Sequence, residues 1–173
     1  MTDNRVMLRR VRILLGLFMI GLIASGITAF PLEWEIDTLA GLMGIPPAGA
    51  PEPLDGLHGW IAFVRQGLHE THARYPFIAY GTDWLAFAHV MIAVAFIGPL
   101  LDPVRNVWVI TFGLIACAAI LPTAMIFGAL RGIPFNWRLI DCTFGVAAAV
   151  PLGLARFYAA RHRESQARRA GSA

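Results

Sequence analysis

The side chains best equipped for chemistry in this 173-residue chain are few: His69, His72, Asp83, His89, Arg138 and Asp141. His69 and His72 stand three residues apart. On a helix that is one turn, so the two imidazoles share a side and could chelate a metal together. Zinc asks for three or four ligands, and no third donor stands at a set spacing from this pair. His58 is eleven residues before His69, roughly 16 Å along a helix and too far to join. The competing reading puts both imidazoles in a membrane headgroup zone, where a half-apolar, half-wet ring is at ease.

His89, Asp83, Asp141 and Arg138 interrupt or border long apolar stretches. Ionisable groups inside membrane spans are costly, which makes each a functional candidate. A pocket where His89, Asp83 and Asp141 faced one another could bind a metal ion, pass a proton, or orient the head of a quinone or lipid. Arg138 stands beside it, and His69 or His72 could be lowered onto it. Each residue also has a plainer role. Arg138 and Asp141, three apart on one helix, are spaced to neutralise each other. Asp83 suits the positive end of a helix, and His89 could hydrogen-bond across helices. Asp83 and His89 point about 120° apart on a helix, so they need not share one cavity.

Other machinery is excluded by residue type. A bis-histidine haem needs two intramembrane histidines at matching depth, and only His89 qualifies. Cys117 and Cys142, the two cysteines, fall at different depths and more than ~7 Å apart, beyond the reach of a disulfide. No phosphate-loop, dinucleotide-loop or zinc-protease pattern is present, and no cofactor is named by any motif.

The elements that must position these groups are membrane spans. The chain is 57% apolar and only 14% charged, against about 25% charged in a soluble domain. Crossing a ~30 Å hydrocarbon core takes roughly 20 mostly apolar residues in a helix. Four stretches qualify, at about 13–30, 84–101, 103–130 and 139–158. The expected fold is an all-α integral membrane protein, a single domain over 1–173 built as a four-transmembrane-helix bundle. Thr82 and Asp83 sit where a cap and first turn should be, Asp102-Pro103 reads as a cap with the first residue of the third helix, and Asn136 as a cap of the fourth. Pro122 and Pro151 lie inside spans three and four, where each removes a backbone hydrogen bond. Small residues crowd the first, third and fourth spans and permit close helix approach, within the bundle or against a partner.

All fourteen basic residues are arginine. Ten of them (Arg5, Arg9, Arg10, Arg12, Arg105, Arg156, Arg161, Arg163, Arg168 and Arg169) fall before the first span, at the turn after the second, or at and beyond the end of the fourth. The 31–83 connection instead carries Glu33, Glu35, Asp37, Glu52, Asp55, Glu70 and Asp83 against Arg65 and Arg74. Arginine excess marks the cytoplasmic side. Both termini, with the basic tail 159–173, are therefore expected in the cytoplasm of an inner-membrane protein, and the acidic connection outside. Arg131 and Arg138 on the short outer loop run against the rule without reversing it. The first span resembles a signal peptide in its basic start, but no small-residue cleavage pattern follows within 25–30, so it is expected to stay. The net charge of +3 needs no nucleic-acid partner, since arginines near anionic headgroups of the bilayer explain it.

Within the connection, 41–53 is rich in Gly, Pro and Ala and reads as irregular. From Leu54 onward Leu57, Ile61, Val64 and Leu68 recur at three- and four-residue steps, the pattern of an amphipathic helix. Its length and polarity suit a helix lying on the outer surface or capping the bundle, with His58, Arg65, His69 and His72 in one stripe. Two functions are consistent with this: binding of a small molecule or metal ion at a polar site on the outer side, or a non-catalytic accessory subunit of a larger membrane complex or homo-oligomer.

Overall fold

A computed structural model describes residues 2–46 and 56–170. Among these residues the regular structure is entirely helical, and four helices are long and apolar enough to cross a membrane: Arg5–Ala29, Pro76–Leu101, Val107–Leu130 and Phe135–Arg168. The chain divides into two compact units, Met1–Leu22 with Ile92–Ala173, and Ile23–Met91.

The first unit takes the N-terminal part of α1 (Thr2–Ala29), the end of α4 (Tyr80–Ala95), α5 (Ile97–Leu101), α6 (Val107–Leu130) and α7 (Phe135–Ala170). Its core is Val11, Leu15, Phe96, Ile110, Cys117, Leu152 and Ala155, with the Phe18 ring 4.7 Å from that of Phe96. α6 and α7 form its most extensive helix pair. A Cβ added at Gly145 would sit 2.8 Å from the Cys117 carbonyl oxygen, so only a bare backbone fits this crossing. Small residues of this kind let helices approach in lipid, where apolar burial gives no net drive between them. On α7 Leu152, Ala155, Ala159 and His162 are buried at three- and four-residue steps. The Arg10 guanidinium stacks 5.5 Å above the Tyr158 ring, so residues near the two ends of the chain lie side by side.

The span expected over 84–101 lies within the candidate span Pro76–Leu101, whose helix is interrupted at the single residue Phe96. Pro99 supplies no N–H to the Ala95 carbonyl, and its ring crowds that position. The tight turn that follows also departs from expectation. Asp102 Oδ1 accepts from the amides of Val104 (3.2 Å) and Arg105 (3.0 Å), and α6 starts only at Val107. Asp102 therefore organises the turn and does not cap the helix. The last carbonyls of α5 are held by Arg12, whose Nε donates to Leu100 and whose Nη2 donates to Leu101, each at 3.2 Å. A cation there suits a helix C-terminus. Asn136 lies inside α7, which begins at Phe135, so it is not that helix's cap. Pro122 and Pro151 lie inside continuous helices, as expected.

The second unit contains the end of α1, α2 (Leu32–Leu42), α3 (Gly56–Arg74), a 3-10 turn at Pro76–Ala79 and most of α4. Pro31 ends α1, because it has no amide proton to continue the ladder. The Pro31 carbonyl then accepts from Glu35 at 2.9 Å and opens α2, a helix inside what the sequence marks only as a connection. Ile36 and Ala40 are its buried residues, and Glu33 and Glu35 lie in its first turn, where acidic groups suit the helix dipole. It closes at Gly44, whose φ of +67° is open to glycine, and Ile45 N–H returns to the Ala40 carbonyl at 2.9 Å. α2 and α3 pack together. Leu54, Glu52 and Asp55 lie outside the described residues. α1 and α4 also touch closely: a Cβ at Gly26 would lie 2.9 Å from the Ala86 carbonyl oxygen and 3.0 Å from the His89 Cβ.

Candidate functional site

The densest polar constellation is built by α2 and α3. Glu33 and Asp37 stand four apart on α2, so they share a face. Arg65, His69 and His72 repeat at four and three on α3. Arg65 Nε donates to Asp37 Oδ1 at 2.6 Å. His69 lies between two carboxylates, with Nε2 3.0 Å from Asp37 Oδ1 and Nδ1 3.2 Å from Glu33 Oε1. Carboxylates only accept, so the ring nitrogen facing Asp37 carries the proton of that hydrogen bond, while the Glu33 contact is an ion-pair separation when the ring is protonated. His72 Nδ1 is 3.7 Å from Glu33 Oε2, an ion-pair separation too long for a hydrogen bond. The His69 hydrogen bond first, and the Arg65 guanidinium second, hold the Asp37 carboxyl below the usual carboxylate range.

Beside this network lies a groove of about 350 Å³. Phe30, Leu68 and Ile78 line it with apolar surface, Trp34 and Tyr75 add aromatic rings, and Glu33, Thr71, His72 and Thr82 bring polar atoms to it. The Thr82 hydroxyl donates to the Ala79 carbonyl at 2.7 Å, fixing the start of α4 against the 3-10 turn. Arg74 stacks on Tyr75, 5.6 Å from the ring centre.

The residues singled out from sequence fall as follows. His69 and His72 are together, facing Glu33. Among the described residues no three or more His, Cys, Asp or Glu side chains are grouped to hold a metal ion. Asp83 lies in the first turn of α4 and makes no ion pair among the described residues. His89 Nδ1 is 2.8 Å from the Leu85 carbonyl of its own helix. A carbonyl cannot donate, so Nδ1 carries the proton and a neutral His89 has Nε2 as its free acceptor. Its Cβ borders Gly26 of α1.

Asp83 and His89 belong to the second unit, and Arg138 and Asp141 to the first. Arg138 does not neutralise Asp141. Its stem crosses α6 at Gly128, where a Cβ would meet Arg138 Cδ at 2.5 Å. Nη1 donates to the Met125 carbonyl at 3.2 Å, and the guanidinium lies 5.4 Å from the Phe135 ring centre. Its buried Nε finds no partner among the described residues. Asp141 is half-buried, with no ion pair among the described residues. Cys117 and Cys142 are both free thiols.

Sequence reasoning missed Glu33 and Asp37 as site residues because α2 was not foreseen. The signal was present: an acidic pair four apart, matched by Arg65 and His69 four apart. No known protein family, curated protein or solved structure matches the chain.

Proposed function

We propose that this chain is a multi-pass inner-membrane protein with both termini in the cytoplasm, and that it binds a small molecule at a polar site on the opposite side. The distribution of arginines supports that orientation, as does the Arg10–Tyr158 stack, which sets the start of α1 beside the later part of α7. In this reading α2 and α3 form an extracytoplasmic hairpin, and the amphipathic face of α3 is turned toward α2 and the membrane surface. The observation that carries the proposal is the groove lined by Glu33 and His72, adjoining a network that fixes both side chains. A mostly apolar cleft with a few convergent polar groups is the usual form of a ligand site. His89, through its free Nε2, and Asp83 remain candidate ligand contacts on α4, and Arg138 and Asp141 on α7.

Mass spectrometry of species that co-purify with the detergent-extracted protein tests this. A small molecule held by the wild type and lost on Glu33→Ala supports the groove. A bound species unaffected by Glu33→Ala but lost on His89→Phe moves the site to α4. A stoichiometric metal moves it to His69 and His72.

The accessory-subunit reading is favoured by a separate observation: Trp34 and Phe63 are each 67% exposed and Leu42 is 82% exposed, all on α2 or α3. Exposed apolar side chains grouped on short helices suit a protein or membrane partner. Stoichiometric co-purification with a larger complex, with no bound small molecule, decides for it.

A further inference from the structure

We infer that the ligand of the α2–α3 groove is a phospholipid whose head carries a primary ammonium, held by Glu33. The inference deepens the proposed small-molecule site and rests on it. The groove opens just past the end of one candidate span, at Phe30 and Pro31, and over the first residues of another, at Ile78, Ala79 and Thr82. Around that level Trp34, Tyr75, Phe77, Tyr80 and Trp84 are exposed. Aromatic residues gather at the membrane–water interface, where an amphipathic ring has both an apolar and a wet neighbour. A lipid entering there would lay its chains along the apolar wall and leave its head at the polar rim.

The rim has the charge pattern of a zwitterion. The Glu33 carboxylate is partly exposed, at 32%. Its two imidazole neighbours, at 3.2 and 3.7 Å, do not exhaust the roughly four acceptor positions of a carboxylate. An ammonium with three donors fills what remains, and the Trp34 and Tyr75 rings offer it aromatic faces. The hydroxyls of Thr71 and Thr82 add acceptors. The phosphate finds a cation in Arg74, stacked on the groove residue Tyr75, and a ring N–H donor in His72 at the rim. A choline head, with no N–H, leaves the Glu33 acceptors empty. A glycerol head brings no positive charge to balance them.

The test is native mass spectrometry of the delipidated full chain, titrated with phosphatidylethanolamine, phosphatidylcholine and phosphatidylglycerol of identical acyl chains. The ethanolamine lipid is expected to bind about tenfold more tightly than either, a difference typical of one charge-assisted contact. Glu33→Gln should bring the three within about twofold of one another. Filling the groove with Thr71→Trp, or with Ala79→Phe should the first variant lose helicity, should abolish retention of all three. Lipid retention lost on filling, but with no headgroup preference in the wild type, overturns the ammonium assignment and leaves the groove standing. Retention unchanged by either filling variant overturns the groove itself.

Discussion

Two helical hairpins in this chain are held together by opposite means. α6 and α7 meet mainly through backbone contact: Gly145 lies against the Cys117 carbonyl, and most polar groups along them turn to main-chain oxygens, although Arg156 of α7 also donates to the Thr111 hydroxyl of α6. Thr111 donates to Val107, Thr143 to Ile140 and Arg138 to Met125. α2 and α3 meet through side-chain charge, with Asp37 and Glu33 facing Arg65, His69 and His72. The contrast is the one expected if α6 and α7 cross a bilayer: an unpaired polar group is costly in hydrocarbon, so most are tied to a nearby partner and association rests mainly on close packing. Where water is near, exposed charges can be left partly open. The open valences of the charged pair are what make it the better candidate site.

If that contrast holds, the two hairpins should fail under different insults. The largest effect is expected at the α6–α7 crossing. Gly145→Leu forces a side chain into backbone that cannot yield, and overpacking of this kind typically costs about 1–3 kcal/mol. Thermal unfolding in detergent should show a clearly lowered midpoint, whereas Gly153→Leu, at a glycine with open space around it, should leave the midpoint near wild type. Equal losses for both variants would mean that close packing is not what joins these helices.

Next in size is Asp37→Asn, which removes the charge from the acceptor shared by Arg65 and His69. It should raise hydrogen-exchange rates across α2 and the middle of α3 while leaving α6 and α7 unchanged. Acid should reproduce it. Asp37 titrates below the usual carboxylate range when paired, so the paired state binds fewer protons than the opened one. Its contribution is full above the ordinary carboxylate value and is lost as pH falls through the lowered one. Protection of α2 should therefore fall at the acid end, and the Asp37→Asn chain should show less of that loss. Faster exchange of α2 at neutral pH with no further loss of protection in acid would confirm Asp37 as the group responsible; an identical acid response in the variant would assign it elsewhere.

The apolar half of this architecture was legible because hydropathy reports it directly. All four helices long and apolar enough to cross a membrane lie where hydropathy put them, and Pro122 and Pro151 fall inside two of them. What stayed hidden depended on partners distant in sequence. α2 has eleven residues and follows Pro31 at once, so its short period was lost in a stretch that reads as linker. The break at Phe96 needed Pro99 to be read as a hydrogen bond missing four residues earlier. The His69–His72 spacing suggested a metal pair because nothing local showed that Glu33 and Asp37 would fold back to meet them. Arg138 and Asp141 looked like an ion pair by spacing alone. What decided otherwise was Gly128, ten residues upstream, which opens a path for the arginine stem across α6.

That arginine gives a smaller effect and a sharper question. Arg138→Met keeps most of the stem's apolar contact with Gly128 while removing the donor to Met125 and the stack on Phe135. Double-mutant cycles on side-chain hydrogen bonds within membranes average about 0.6 kcal/mol. The expected loss of thermal stability is accordingly slight, well below that of Gly145→Leu. Should Arg138 instead serve Asp141, its removal would leave a carboxylate without its countercharge, and Arg138→Met combined with Asp141→Asn would recover what the single change lost. The contacts to Met125 and Phe135 predict no such recovery, because the asparagine restores neither of them. Non-additive rescue in that double-mutant cycle would return the pair to the electrostatic role its spacing suggests and blur the contrast between the two hairpins.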